Sequence, residues 1–520
     1  MTTETLTSPR TGLDTAAPEA RAGRRGWAAL AVLMLPVLLV SVDNTVLSFA
    51  LPSIAIDLTP SSIEQLWIID AYPLVLASLL VTMGTLGDRF GRRRMLLIGA
   101  TGFAVISAAA AFAPTAAALI AARAAMGVFG AMLMPSTLSL LRSIFTDRAQ
   151  RRLAIAVWAA MFSAGSALGP IVGGLLLEHF AWGAVFLMAA PVLLPLLVLA
   201  PLLVPESRDP NPGRIDALSI VLSLATMVPI VYAIKEFAVE GFAGVAPILF
   251  AAGVAFGVLF VRRQRRLETP MLDMALFRRG SFSGAIVVNL LSVIALVGFL
   301  FFVAQHLQLI VGLSPLNAGL ALLPGLVAMI VSGLVVVPIA ARVSPRILIP
   351  GALAFSVGGY LVVAAVASDG SLAVLIAAFV ALGIGIGMAE TVSNELILSS
   401  APPEKAGAAS AVSETAYELG AVLGTAILGG ILAAMYRAHL VLPAGVSADA
   451  AHAARETLAG AVAASRSQGP VLGAQLRDAA AHAFDAGVGV TALIGAGLVV
   501  VAAVVAAMTL RGSRASAGSR

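Results

Sequence analysis

The chain has 520 residues, 60% of them hydrophobic and only 11% charged, with 32 Lys+Arg against 27 Asp+Glu and a formal net charge of +5. A soluble globular chain carries about 25% charged residues. A mean hydropathy of +1.00 therefore places this chain in the membrane and excludes an ordinary water-soluble fold. The absence of cysteine excludes a disulfide framework, a thiol redox centre and a cysteine-ligated metal.

About 20 predominantly apolar residues cross a bilayer. Windows of that size predict fourteen helices, spans 1 to 14, at 28–50, 66–86, 95–113, 117–141, 153–177, 182–204, 215–234, 244–261, 282–304, 317–340, 347–367, 372–398, 407–432 and 487–509. The first is too long for a cleaved leader and holds Asp43, so it reads as a true span. The flanks, 1–26 and 511–520, are polar and read as disordered cytoplasmic tails. The one sizeable extramembrane piece, 433–486, is Ala-rich with scattered charges and a Gly469-Pro470 break. It reads as two amphipathic helices in a hairpin on the outer face.

With the N-terminus in the cytoplasm, twenty-six of the 32 Lys+Arg fall inside and five outside: Lys235, Arg437, Arg455, Arg466 and Arg477. Arg123 alone is then intramembrane. This bias supports both the orientation and the even number of spans. The isoelectric point near 10.0 does not indicate nucleic acid, because the arginines sit in short loops where they read as orientation and contact with membrane lipids. Only two lysines occur, Lys235 and Lys405, and neither lies in a P-loop, so ATP hydrolysis on this chain drives nothing.

A charged side chain at mid-bilayer costs at least about 2.5–3.5 kcal/mol, so the acids found there are informative. Past the first turn of the predicted spans lie Asp43, Asp70, Glu390, Glu395, Glu414 and Glu418. Glu414 and Glu418 are four apart and share a helix face with Tyr417 nearby. Two carboxylates there repel if both are ionised, and a carboxyl in a dry cavity can exchange a proton for an organic cation; the structural alternative is a hydroxyl-capped packing residue. Asp43 and Glu390 carry the same two readings. Asp70 lies near the outer end of span 2 beside Trp67, and Glu395 near the cytoplasmic end of span 12, where snorkelling is the simpler reading. Arg123 needs a partner: it either polarises a carboxyl or tethers spans. Trp158, Phe162, Phe302 and Tyr417 offer π faces to a cation, with ordinary packing as the alternative. The five histidines lack metal-ligand spacing, and no Ser/His/Asp set is placed for hydrolysis, so neither a metal site nor an enzyme is expected.

Two further runs concern motion. The loop Gly84-Thr85-Leu86-Gly87-Asp88-Arg89-Phe90-Gly91-Arg92-Arg93-Arg94 reads as a tight basic turn in which Asp88 accepts from arginines. Gly165, Gly169, Gly173 and Gly174 in span 5 let backbones touch, and Pro170 removes a helix hydrogen bond. That run is either a packing groove or a pivot between two halves.

The Gly84–Arg94 loop resembles the signature between the second and third helices of the major facilitator superfamily. Leu119-Ile120-Ala121-Ala122-Arg123 with Gly127 and Gly130 resembles its fourth-helix motif, and the Gly165-to-Gly174 run its antiporter motif. Val42-Asp43-Asn44-Thr45-Val46, Gln65-Leu66-Trp67-Ile68-Ile69-Asp70, Met134-Pro135-Ser136-Thr137-Leu138-Ser139 and Ala411-to-Gly420 are similar to motifs of its fourteen-helix drug:proton antiporters. The resemblance covers roughly 27–510. It implies an all-α membrane protein with six-helix bundles at 27–204 and 282–510, the latter including the outer hairpin, and two extra helices within 205–281. It also implies a monomer in the bacterial inner membrane, without cofactor, that exchanges protons for lipophilic cations such as ethidium, acriflavine and quaternary ammonium compounds. Asp43, Asp70, Glu414 and Glu418 stand at the family's carboxylate positions; Gly87, Asp88, Arg89, Gly91, Arg92, Gly165, Gly169 and Pro170 stand in its conformational motifs. Some members add an acid in the tenth helix, where this chain has Met329, and a glutamate pair where it has Ser413-Glu414. The match is thus fuller for monovalent than for divalent substrates. The rival readings are an exporter of an endogenous metabolite or antibiotic, and a non-transporting receptor or scaffold.

Overall fold

The computed structural model describes residues 21–209, 216–240, 244–267, 270, 272–366, 371–400 and 406–510. Among them are fourteen helices long and apolar enough to cross a membrane. In chain order they are Arg24–Leu58, Ser62–Phe90, Arg92–Ala110, Ala116–Ile144, Ala149–His179, Ala184–Leu203, Ala217–Phe237, Ala246–Gln264, Gly280–Ile310, Pro315–Ala340, Pro345–Val366, Leu372–Ser400, Ala409–His439 and Pro470–Thr509. Each contains its expected window apart from a few terminal residues. No strand occurs among the described residues.

Local chemistry sets many of the ends. Ser61 accepts from the Glu64 amide while the Glu64 carboxylate accepts from the Ser61 amide, a reciprocal cap that starts span 2. Thr115, Asp147 and Ser314 cap the helices that open spans 4, 5 and 10. Gly91, at φ +115°, is the whole turn between spans 2 and 3. Most of the tail expected at 1–26 lies outside the described residues, as does 511–520, but span 1 already begins at Arg24. There the Arg25 guanidinium donates to the Leu202 carbonyl.

Spans 1 to 6 pack chiefly on one another, as do spans 9 to 14. The two sets meet along two seams, span 5 against span 10 and span 2 against span 13. Span 7 packs on spans 8, 2 and 13. Span 8 shows Ile248, Val254 and Leu259 outward, as a lipid-facing helix does.

The hairpin differs from expectation. Span 13 runs on to His439, two short helices follow at Ala448–Glu456 and Leu458–Ser465, and span 14 begins at Pro470. The second arm is thus the continuation of span 14. Nothing between Pro470 and Thr509 breaks an Ala-rich helix, whereas Gly469, at φ +77°, and Pro470 do.

Candidate functional site

A cavity of about 220 Å³ lies between the two six-helix sets. Asn44, Trp158, Phe162 and Ser166 line it from the first set, and Asn289, Met329, Glu390, Asn394, Glu414 and Tyr417 from the second. A second cavity of about 400 Å³ shares Trp158 and Glu414 with it and runs between spans 2, 4, 5 and 13 to Asp88, Arg92 and Arg142. The pocket therefore leads toward the face that bears the Gly84–Arg94 loop. On the opposite, hairpin face the halves touch. Gln308 donates to the Phe49 carbonyl at 3.1 Å. The Ser62 amide and hydroxyl donate to the side chain and carbonyl of Glu456. A Cβ on Gly174 would stand 2.5 Å from Leu316 Cα, and one on Gly319 2.5 Å from the Pro170 carbonyl.

Three aromatics form a ladder on the wall. Trp158 stacks on Phe162 at 6.3 Å, Phe162 meets Tyr417 edge-on at 5.6 Å, and Trp158 Nε1 donates to the Thr137 hydroxyl. Phe302, expected with them, is instead fully buried, T-shaped on Phe299 at 5.0 Å in the core of the second set. Composition makes an aromatic conspicuous but does not reveal the direction it faces.

The acids separate into two kinds. Glu390 and Glu414 line the central cavity, each with one buried oxygen lacking a hydrogen-bond partner. Glu418, fully buried behind them, accepts from Asn44 Nδ2 at 3.2 Å, and its second oxygen is unsatisfied. Among the described residues no cation stands within ion-pair distance of these three. Asp43 and Asp70 lie off the cavity, each held by a buried cation. Arg123 Nη1 donates to Asp43 Oδ2 at 2.6 Å, its Nε donates to the Ile68 carbonyl, and its guanidinium lies 4.6 Å from the Tyr72 ring centroid. Arg123 thereby ties spans 1, 2 and 4 together. Lys235 Nζ lies 2.8 Å from Asp70 Oδ2, both side chains wholly buried. This corrects the reading that placed Lys235 in an outer loop and left Arg123 as the sole intramembrane cation. Span 7 extends to Phe237, so Lys235 is inside the helix. Glu395 is exposed, as a snorkelling residue should be.

The uncharged cavity amides Asn289 and Asn394 are not singled out by the sequence. Asn289 donates to Asn394 at 3.0 Å and Ser413 to the same oxygen at 2.7 Å, joining spans 9, 12 and 13. Their signal was an amide in the middle of an apolar run.

The conformational motifs have concrete partners. Asp88 accepts from Arg92 at 2.9 Å, while Arg92 also donates to the Ser207 hydroxyl. The Glu206 carboxylate accepts from the Arg93 amide and fills the space where a Gly91 side chain would stand. Glu206, a residue the sequence reading passed over, thus seats the turn on the end of span 6. Arg89 is exposed, and Gly87 is buried beside Ser136. In span 5 a Cβ on Gly165 or Gly169 would fall 1.9 Å from Ser41 Oγ or Thr45 Oγ1. Pro170 lacks the amide that would bond to the Ser166 carbonyl, and Thr45 Oγ1 donates to that carbonyl at 3.1 Å instead. The run is therefore a groove for span 1 on one side and a contact with span 10 on the other.

The sequence profile of the Major Facilitator Superfamily matches residues 33–425. The chain is 58% identical over 491 residues to the multidrug efflux pump LfrA of Mycolicibacterium smegmatis, covering 94% of this chain and 97% of that one. It is 37% identical to the methyl viologen resistance protein SmvA of Salmonella typhimurium, covering 88% and 93%. Among solved structures, a bacterial homologue of the human lysosomal transporter Spinster, inward-facing and unoccupied, superposes with a TM-score of 0.68 at 16% identity, covering 94% of this chain and 98% of that one. That likeness concerns the fold.

Proposed function

The chain belongs to the Major Facilitator Superfamily, which makes it a multi-pass membrane transporter and not an enzyme, and from that premise we propose that it is a proton-driven antiporter exporting lipophilic organic cations. Relatives named as efflux and resistance proteins support drug efflux. The observation that carries proton coupling is the group Glu390, Glu414 and Glu418, at or behind a cavity with an aromatic wall and with no cation within ion-pair distance among the described residues. An ionised carboxylate in such a place needs a positive partner, and a proton and a flat organic cation compete for that role. Trp158, Phe162 and Tyr417 favour the cation whose charge is spread over an aromatic frame, such as ethidium, acriflavine or an aryl quaternary ammonium.

With the termini cytoplasmic, the cavity leading to Asp88 faces inward and the hairpin face is shut. Substrate then enters from the cytoplasm as the glutamates release protons there. The seams at spans 5 and 10 and at spans 2 and 13 rock, and on the outer side protons displace the cargo. One proton per monovalent cation makes the exchange electroneutral, driven by about 1.4 kcal/mol per pH unit. Each extra proton adds about 2.3 kcal/mol per 100 mV. The protein needs no cofactor in this scheme and works as a monomer, since each chain holds the whole cavity.

The test is purified protein in liposomes carrying an imposed pH gradient, with ethidium fluorescence as readout. Glu414→Gln and Glu418→Gln should each lower the gradient-driven flux while expression stays intact. Wild-type rates in both variants would end the assignment.

A further inference from the structure

Lysine is nearly absent from this chain, two residues against thirty arginines, and one of the two is wholly buried in a membrane-length helix. A cation in that position is costly unless something compensates it. The compensation is local and double: the Asp70 carboxylate at 2.8 Å and the Trp67 ring centroid at 3.8 Å. Asp70 and Trp67 belong to span 2. Lys235 belongs to span 7, one of the two helices inserted between the bundles. The apolar jacket around the pair is Leu74 of span 2, Val231 and Met227 of span 7, and Val422 and Ala426 of span 13. The pair therefore lies in the seam where span 2 meets span 13, closed from the side by the inserted helix. At this level span 13 makes a π-helical turn, Thr425–Gly429, a local widening that recurs at functional places in helices. The same two spans, about three turns further along, wall the cavity that leads to Asp88. Any rocking that opens the hairpin face parts spans 2 and 13 here, and Lys235 rides on neither.

We propose that Lys235 is the resident counter-cation of Asp70, neutralising that carboxylate whenever the hairpin face is closed, so that Asp70 takes up no proton over the cycle and the exchange falls to Glu390, Glu414 and Glu418. The proposal rests on the antiport reading for its consequence and on the pair itself for its content. The cation in contact with Asp70 is Lys235 from span 7. Span 13 meets it with Thr425 and apolar side chains. Arg123 is already committed to Asp43. Glu236, next on span 7, is largely buried. With Lys235 present, closing the seam requires no proton at Asp70, because the tethered ammonium returns to it. Without the ammonium, Asp70 enters the closed seam only as the protonated acid, COO⁻ plus H⁺ giving COOH, with the proton drawn from solution on the open side. Lys235 thus sets how many protons accompany each substrate, and the inserted helices become part of the coupling device.

The experiment compares wild type, Lys235→Met, Asp70→Asn and the double variant. Proton uptake by the purified protein is titrated from about pH 8 to pH 5, the range of an unpaired buried carboxyl, and ethidium flux is followed in liposomes. We expect Lys235→Met to take up one proton more than wild type, and the double variant to return to the wild-type count. Flux at neutral pH should fall about tenfold in Lys235→Met, recover on acidification, and return to within about threefold of wild type in the double variant. Equal uptake by wild type and Lys235→Met, or a double variant as inactive as Asp70→Asn, overturns the proposal. If Lys235→Met does not fold, the double variant decides by itself: wild-type proton count and flux support the pairing, and lost flux overturns it. A wild-type protein that moves no ethidium would count against the antiport reading, while the proton counts would still judge the pair.

Discussion

The two six-helix sets treat buried acids in opposite ways. In the first, both intramembrane acids are aspartates, both lie off the cavity, and each grips a buried cation: Asp43 with Arg123, Asp70 with Lys235. In the second, the glutamates 390, 414 and 418 gather at or behind the cavity, and among the described residues no cation stands within ion-pair distance of them. A short carboxylate locked by a fixed cation is a structural charge. A longer one facing a hollow, without a partner, is a charge waiting for a mobile cation. Burial alone therefore does not identify a coupling residue; the absence of an internal counter-ion does.

The largest effect expected from breaking this contrast is at Asp43. Asp43→Ala leaves Arg123 buried with only the Ile68 carbonyl and the Tyr72 ring, a loss of about 3–5 kcal/mol. Thermal unfolding in detergent should show a sharply lowered transition, and Asp43→Asn with Arg123→Gln should recover most of it. Next come Glu414→Gln and Glu418→Gln, which should leave unfolding nearly unchanged while gradient-driven ethidium flux drops about tenfold or more. Should the aspartate variants fold normally and the glutamate variants unfold, the division between structural and mobile charges would be reversed.

The contrast was half legible in the amino-acid sequence. Every intramembrane acid stood out, because a bilayer makes each charge conspicuous against an apolar run. Partners did not stand out. Lys235 lies one residue beyond the apolar window that predicted span 7, where a lysine looks like an outer-loop residue. Only the packing of span 7 against span 2 shows what it faces. Glu206 escaped for a similar reason: it follows span 6 in what reads as a loop, and its tie to Gly91 and Arg93 spans more than a hundred positions. Phe302 failed differently, since neither period nor composition says which face of an all-apolar helix looks into a cavity. The groove motif was legible because a helix with four glycines and a proline has few other uses.

Smaller effects sharpen the picture of the cavity and the turn. Asp88→Asn removes the acceptor for Arg92 on the termini face. It should slow turnover while leaving ethidium affinity, read by fluorescence binding, nearly intact. Binding lost in step with transport would remove the gating role. Tyr417→Ala should weaken binding about threefold to thirtyfold, the worth of one aromatic face against a partly desolvated cation. Met329→Asp would place a third carboxylate on the cavity wall, beside Glu390 and Glu414, and should raise the transport of divalent relative to monovalent cations.

The smallest effect is expected at the other end of span 7. There Asp216 accepts two hydrogen bonds from Arg263, at 2.9 and 2.8 Å, and joins the two inserted helices at the termini face. Those hydrogen bonds, with a further one from Ser219, hold the Asp216 carboxyl down at about 2. A folded value below the unfolded one means that the stabilisation is complete above the ordinary carboxylate range and is lost only as pH falls through about 2. Across the neutral range the pair is therefore constant, and its partial exposure to solvent keeps it weak. Asp216→Asn should shift the unfolding temperature by no more than about 2 °C, by the same amount at every pH from about 5 to 8, and leave proton uptake unchanged. Span 7 then carries one buried pair that sets proton number and one surface pair that does not, and a pH-dependent defect in Asp216→Asn would erase that distinction.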